Sequence, residues 1–156
     1  MKKDVRYEPH SRVIAHSIAE FVLRCAETME GSFNHDYEMT LLFLAISTRN
    51  EHNVMNDPGL RARYASFDEV IPPSLYTPIS RLALARSTGL PRETVRRKVA
   101  KMIELGVVVE DKRGGLCIRP GIIEEFEPEE VLKPQLRNLR RLFSVLSETG
   151  ALEKAD

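Results

Sequence analysis

The chain has 156 residues, 42% of them hydrophobic and 29% charged, and its 23 basic side chains are balanced by 23 acidic ones. That length suits one domain, or one domain with dimerisation arms, and the apolar share excludes wholesale disorder. The longest apolar run, Leu41–Ile46, is far short of the ~18 residues of a membrane helix, the N-terminus is charged, and Cys25 and Cys117 form no CxxC pair, so the expectation is a soluble cytoplasmic protein with no membrane partner, disulfide framework or zinc ribbon.

Ser11 to Glu30 reads as a helix. Ile14, Ile18, Phe21, Val22, Cys25 and Met29 recur at spacings of three and four, which makes one apolar face. Ser11 is placed to cap its start and Gly31 to end it. Asp36 to Asn53 reads as a second helix with Met39, Leu42, Phe43 and Ile46 inside, its apolar surface broadened by Leu41 and Leu44. Asp57-Pro58-Gly59 is a turn. A short helix near Leu60–Phe67 and a short extended segment near Val70–Tyr76 follow. Thr77-Pro78 sets a capping hydroxyl before a proline, which predicts a helix from there to Arg86 that buries Ile79, Leu82 and Ala83. Ser87-Thr88-Gly89-Leu90 interrupts it. Pro91 opens the next helix, 91–105, whose inner face is Val95, Val99, Met102 and Ile103, with Gly106 to end it. Val107–Glu110 and Leu116–Arg119 are β-prone runs around the turn-forming Asp111-Lys112-Arg113-Gly114-Gly115, and together they predict a hairpin. The acidic stretch Glu124–Glu130 leads into a last helix up to Glu148, striped by Leu132, Leu136, Leu139, Phe143 and Leu146, with Gly150 as its cap. No internal repeat or low-complexity tract is present.

The zero net charge hides an uneven distribution. Residues 78–121 hold ten basic groups against four acidic ones, whereas residues 1–77 and 122–156 are each net acidic. A basic middle between acidic flanks is the electrostatic footprint of a nucleic-acid contact.

The two short helices around Ser87-Thr88-Gly89-Leu90, followed by a basic hairpin, resemble a winged helix-turn-helix. Ala85 is small where the two helices must approach, Gly89 sits where the turn favours positive φ, and Leu90 and Val95 plug the space between the helices. The segment Pro91-Arg92-Glu93-Thr94-Val95-Arg96-Arg97 is similar to the recognition helix of the catabolite-activator family of bacterial regulators, Ser-Arg-Glu-Thr-Val-x-Arg, with Pro91 in place of the serine. That resemblance implies that Arg92, Glu93 and Arg97 face base edges in the major groove. The chemistry agrees, since arginine donates twice to guanine and glutamate accepts from the cytosine amino group. Ser87 and Thr94 carry hydroxyls, and Arg96, Lys98 and Lys101 carry charges, for the phosphate backbone, while Lys112 and Arg113 at the tip of the wing, 107–119, are placed for the backbone or an adjacent minor groove. Residues 1–56 read as helices, so the cyclic-nucleotide barrel of that family is not expected. In layout, with helices before the motif, a wing after it and a long helix at the end, the chain resembles MarR-type regulators.

Metal and catalytic sites were weighed against this reading. His10, His16, His35 and His52 are not spaced as ligand pairs, and Cys25 and Cys117 read as packing residues. No phosphate-binding loop, nucleophile elbow or nucleophile–base pair is present, so neither an enzyme nor a cofactor is expected. The acidic cluster Glu124, Glu125, Glu127, Glu129 and Glu130 suits the N-terminal dipole of the last helix.

The expected architecture is mainly α with a small β-hairpin wing: an N-terminal helical dimerisation or core region (1–56), a winged helix-turn-helix DNA-binding domain (57–121) and a C-terminal helix as dimerisation arm (122–156). The expected function is that of a sequence-specific, double-stranded-DNA-binding transcriptional regulator acting as a homodimer. The alternative is a winged-helix protein-interaction module. The apolar helical half reads either as core or as the wall of a pocket for a small-molecule effector.

Overall fold

The computed structural model describes residues 8–29 and 32–152. Seven α-helices and one two-stranded antiparallel hairpin make up the described residues, so the protein is mainly helical, with a small β element. They form two compact units.

The larger unit spans residues 32–127. It begins with α2 (Tyr37–Asn50), capped by the Asp36 carboxylate, which accepts from Met39 N–H at 3.0 Å. Short helices α3 (His52–Asn56) and α4 (Pro58–Arg63) follow, the latter capped by Asp57 through Leu60 N–H at 2.8 Å. Then come α5 (Arg81–Thr88), α6 (Arg92–Glu104) and the hairpin of β1 (Val108–Glu110) and β2 (Leu116–Ile118), in which Val109 pairs with Cys117. Met39, Leu42, Phe43 and Ile46 of α2 meet Leu84, Ala85, Val95, Val99, Met102, Val108, Leu116 and Ile118 in one core. A satellite of Val54, Tyr64 and Ile71 sits under the α3–α4 region.

Three sequence expectations shift here. The helix expected from Thr77-Pro78 starts at Arg81, because Ile79 is held extended by two backbone hydrogen bonds to Leu116, at 3.1 and 2.8 Å, and the Ser80 hydroxyl takes the cap by accepting from Ala83 N–H. Leu84 and Ala85 are therefore the inward residues, and Leu82 is exposed. The second helix ends at Asn50 rather than Asn53. Asn50 is fully buried: its Nδ2 donates to the carbonyls of Thr77 (3.0 Å) and Leu116 (3.2 Å), and its Oδ1 accepts from Ile118 N–H (2.8 Å). Residues 73–75 form a 3-10 turn within the segment expected to be extended. α2 thus packs with α5, α6 and the hairpin in one core.

The smaller unit pairs α1 (Ser11–Thr28) with α7 (Pro128–Glu148). They run antiparallel: the Gln135 side chain, early in α7, donates to Thr28 Oγ1 at the end of α1. Ser11 lies inside the helix with His10 at the cap position, and Gly150 follows α7 at φ +70°. Gly31, expected to end α1, lies outside the described residues.

Candidate nucleic-acid interface

α5 and α6 are joined by Gly89 at φ +71°, a left-handed conformation that a side chain disfavours. Gly89 N–H closes α5 by donating to the Ala85 carbonyl at 3.0 Å. Ala85 is buried, Val95 is wholly inaccessible and Leu90 packs against the core. Val95, Val99 and Met102 bury one side of α6. A period of 3.6 residues then puts Glu93 and Arg97, one turn apart, on the side away from the core. Arg92 lies at the first position of α6, where free N–H groups and the helix dipole favour an anion.

The hairpin is fastened to this helix pair. Arg81 at the start of α5 makes a bidentate contact with Glu110 of β1, at 3.1 and 2.8 Å, and the backbone bridge from Ile79 to Leu116 adds a second tie. The hairpin turn is shaped by the Asp111 carboxylate, which accepts from Arg113 N–H at 2.8 Å and Gly115 N–H at 2.7 Å. Gly115 has a steric reason to be there: a Cβ would lie 2.6 Å from Pro78 Cβ.

The ten cations of residues 78–121 divide into two groups. Arg81, Arg96, Lys98, Lys101 and Arg119 are engaged in ion pairs within the chain. Arg86, Arg92, Arg97, Lys112 and Arg113 are exposed and make no ion pair among the described residues. Arg96 holds Glu93 through bonds of 2.9 and 2.6 Å, and that contact keeps the Glu93 carboxyl below the usual range. Both side chains are largely exposed, so the pair is weak and easily exchanged for another partner. Lys101 pairs with Glu104 at 3.1 Å on the outside of the helix. Ser87 donates to the Leu84 carbonyl at 3.1 Å, which leaves its oxygen free to accept, and Thr94 is half-buried.

Lys98 is placed differently from the other cations of α6. Its side chain is only 12% exposed, and its ammonium contacts Asp36 and, at 3.2 Å, Glu38. The Asp36 hydrogen bond is the main reason that Lys98 holds its proton more tightly than usual. Burial pushes the Asp36 carboxyl up, but Lys98, the Met39 N–H and Arg97 more than offset this, so the net shift is downward. Asp36 therefore does two jobs, capping α2 and anchoring α6. No sequence signal marks the second, since 62 positions separate the partners. The same holds for Asn50, which reads as an ordinary helix-end residue until the wing-side carbonyls are seen around it.

Among the described residues, no group of three or more His, Cys, Asp and Glu is placed to hold a metal ion, and no helix is long and apolar enough to cross a membrane. Cys117 is buried in β2, and burial pushes its thiol up, away from the reactive thiolate. No protein-family model, curated protein or solved structure matches the chain. The functional reading therefore rests on the residues themselves.

Proposed function

We propose that the protein is a transcriptional regulator that binds double-stranded DNA sequence-specifically as a homodimer, with α5 and α6 as a helix-turn-helix and the β1–β2 hairpin as its wing. One observation carries this reading: α6 turns Glu93 and Arg97 away from the core, carries Arg92 at its first position, and is followed by a hairpin whose tip holds the unpaired cations Lys112 and Arg113. In this reading α6 enters the major groove, where Arg92 and Arg97 donate to guanine edges and Glu93, released from Arg96, accepts from cytosine. Arg96, once released, serves the phosphates together with Lys101, Lys112 and Arg113, while Ser87 and Thr94 offer hydroxyls to them. A protein of this kind works in the cytoplasm, where the DNA is.

The test is selection from a pool of random duplexes at several salt concentrations, with the Arg92→Ala/Arg97→Ala variant alongside. The expected result is enrichment of a two-fold symmetric sequence that the variant fails to enrich. Six to ten phosphate contacts predict a loss of affinity of about 10³–10⁵-fold between 50 and 200 mM salt. Failure to bind any duplex at low salt overturns the proposal and favours an interaction module, for which the exposed Tyr37, Leu41 and Leu44 of α2 are the starting surface.

A further inference from the structure

The α1–α7 hairpin has two unlike faces. Ile14, Phe21 and Cys25 of α1 and Leu139, Leu142, Val145 and Leu146 of α7 are half-buried. Beside them, on one face, runs a groove of about 400 Å³ in which Phe21, Leu142 and Val145 form the floor and the polar Ser17, Glu20, Arg24, Asn138, Arg141 and Ser144 line the rest. At 3.6 residues per turn, the opposite flank of α1 carries Ile18 and Val22, and the opposite flank of α7 carries Leu132, Leu136 and Phe143. These five side chains are between 44% and 58% exposed. The second face is thus apolar and open.

We propose that this face is the seam of a homodimer, meeting the same face of a second copy to complete a four-helix bundle. The inference deepens the dimer in the proposed function but stands on separate observations. First, the hairpin lacks a core of its own. Among its described residues no apolar side chain is buried, and the one buried side chain is Asn138, at 7% exposure. Helices of this length draw most of their stability from packing an apolar face, so a pair with that face open is incomplete. Second, Leu132, Leu136, Leu139, Phe143 and Leu146 follow a strict four-three-four-three spacing, the heptad rhythm that seats knobs in the holes of another helix. Third, the five open side chains are themselves uncharged, and the charged groups that share a groove with Leu132 and Leu136, namely Glu129, Lys133, Arg137, Arg140 and Arg141, belong to the rim of the seam. Fourth, the size is right. Helices of 18 and 21 residues at 1.5 Å per residue and ~10 Å across offer ~600 Å² per partner, or ~1,200 Å² in total, the lower end of stable interfaces.

The experiment is sedimentation of the full chain over a range of concentrations, without DNA. The expected result is twice the chain mass for the wild type, and the single-chain mass for Leu136→Glu/Phe143→Glu at concentrations 100-fold above those at which the wild type is dimeric. The helical content of Leu136→Glu/Phe143→Glu by circular dichroism is expected to match the wild type, which separates loss of the seam from loss of folding. A wild type that is monomeric throughout, or a variant that remains dimeric, overturns the proposal. A dimer broken by Leu41→Glu instead moves the seam to α2 and also overturns it. Because no DNA is present, failure of the seam and failure of the DNA reading are distinguishable.

Discussion

Replacing Lys98 by methionine separates two uses of a cation on α6. Methionine keeps the apolar stem and removes the ammonium that contacts Asp36 and Glu38. Fully exposed ion pairs contribute about 0.2–1 kcal/mol, and breaking a fully buried one costs about 3–5 kcal/mol. Here the lysine side chain is 12% exposed and the Asp36 side chain 26%, so the pair lies between these limits. The expected cost is ~1–2 kcal/mol, which lowers the melting midpoint of a unit this size by about 4–8 °C per kcal/mol. Asp36→Asn is the matching change, since asparagine preserves the α2 cap while removing the charge. Urea unfolding of the two single variants and the double variant should show a coupling of ~1 kcal/mol. In DNA binding, Lys98→Met should weaken affinity but leave the slope of log K against log salt unchanged, whereas Lys112→Met, which removes a cation assigned to the phosphates, should lessen that slope by about one. Additive stabilities, or full stability together with a slope lessened by one, refute the reasoning. Lys98 would then be a phosphate contact, not the residue that seats α6. The pair also has a pH signature. The folded Asp36 pKa is depressed, so its contribution is present at neutral pH and is lost as pH falls through that depressed value, below the ordinary 3.8.

The same geometry yields further expectations. Asn50→Ala leaves Ile118 N–H without its buried acceptor and removes both side-chain donations to carbonyls, so denaturant unfolding should show a loss of ~2–4 kcal/mol. Burial and the nearby Glu124 carboxylate raise the Glu51 pKa above 4.5, and burial with the same two carboxylates pushes the neighbouring Tyr76 phenol up to about 12. A raised folded pKa means that the folded state binds the proton more tightly, so stability should fall as pH rises from 4.5 through the raised value. Glu51→Gln should flatten that profile and stabilise the protein at pH 7. Arg92→Ala and Arg97→Ala should each cost about 1–3 kcal/mol of discrimination at particular base pairs, measured by competition between matched and mismatched duplexes. Equal weakening on every sequence would remove them from base reading.

Periodicity was a dependable guide wherever one local rule acted alone. The inner face of α6 is legible because burial of Val95, Val99 and Met102 follows directly from helix geometry. The turn at Gly89 and the hairpin around Asp111–Gly115 are legible because left-handed backbone and side-chain-to-backbone bonds select those residue types. At Thr77-Pro78-Ile79-Ser80 the local signal pointed to Thr77 as the cap, and the structure uses Ser80. The backbone pairing of Ile79 with Leu116, 37 positions away, made that choice. The apolar stripe of α7 was visible as a stripe, but not which part of it α1 covers, because five apolar positions on one helix do not say how wide the neighbour is.

The sequence by itself determined that the chain is mostly helical with one hairpin, where the central helices turn, and that the cations gather between residues 78 and 121. Only the tertiary structure decided which cations are free. Among the described residues Arg86, Arg92, Arg97, Lys112 and Arg113 make no ion pair, while Lys98 is drawn back to Asp36. The physical reason is that a charge acts over a few ångströms, whichever part of the chain supplies its partner, and only the folded core of α2, α5, α6 and the hairpin brings those groups that close.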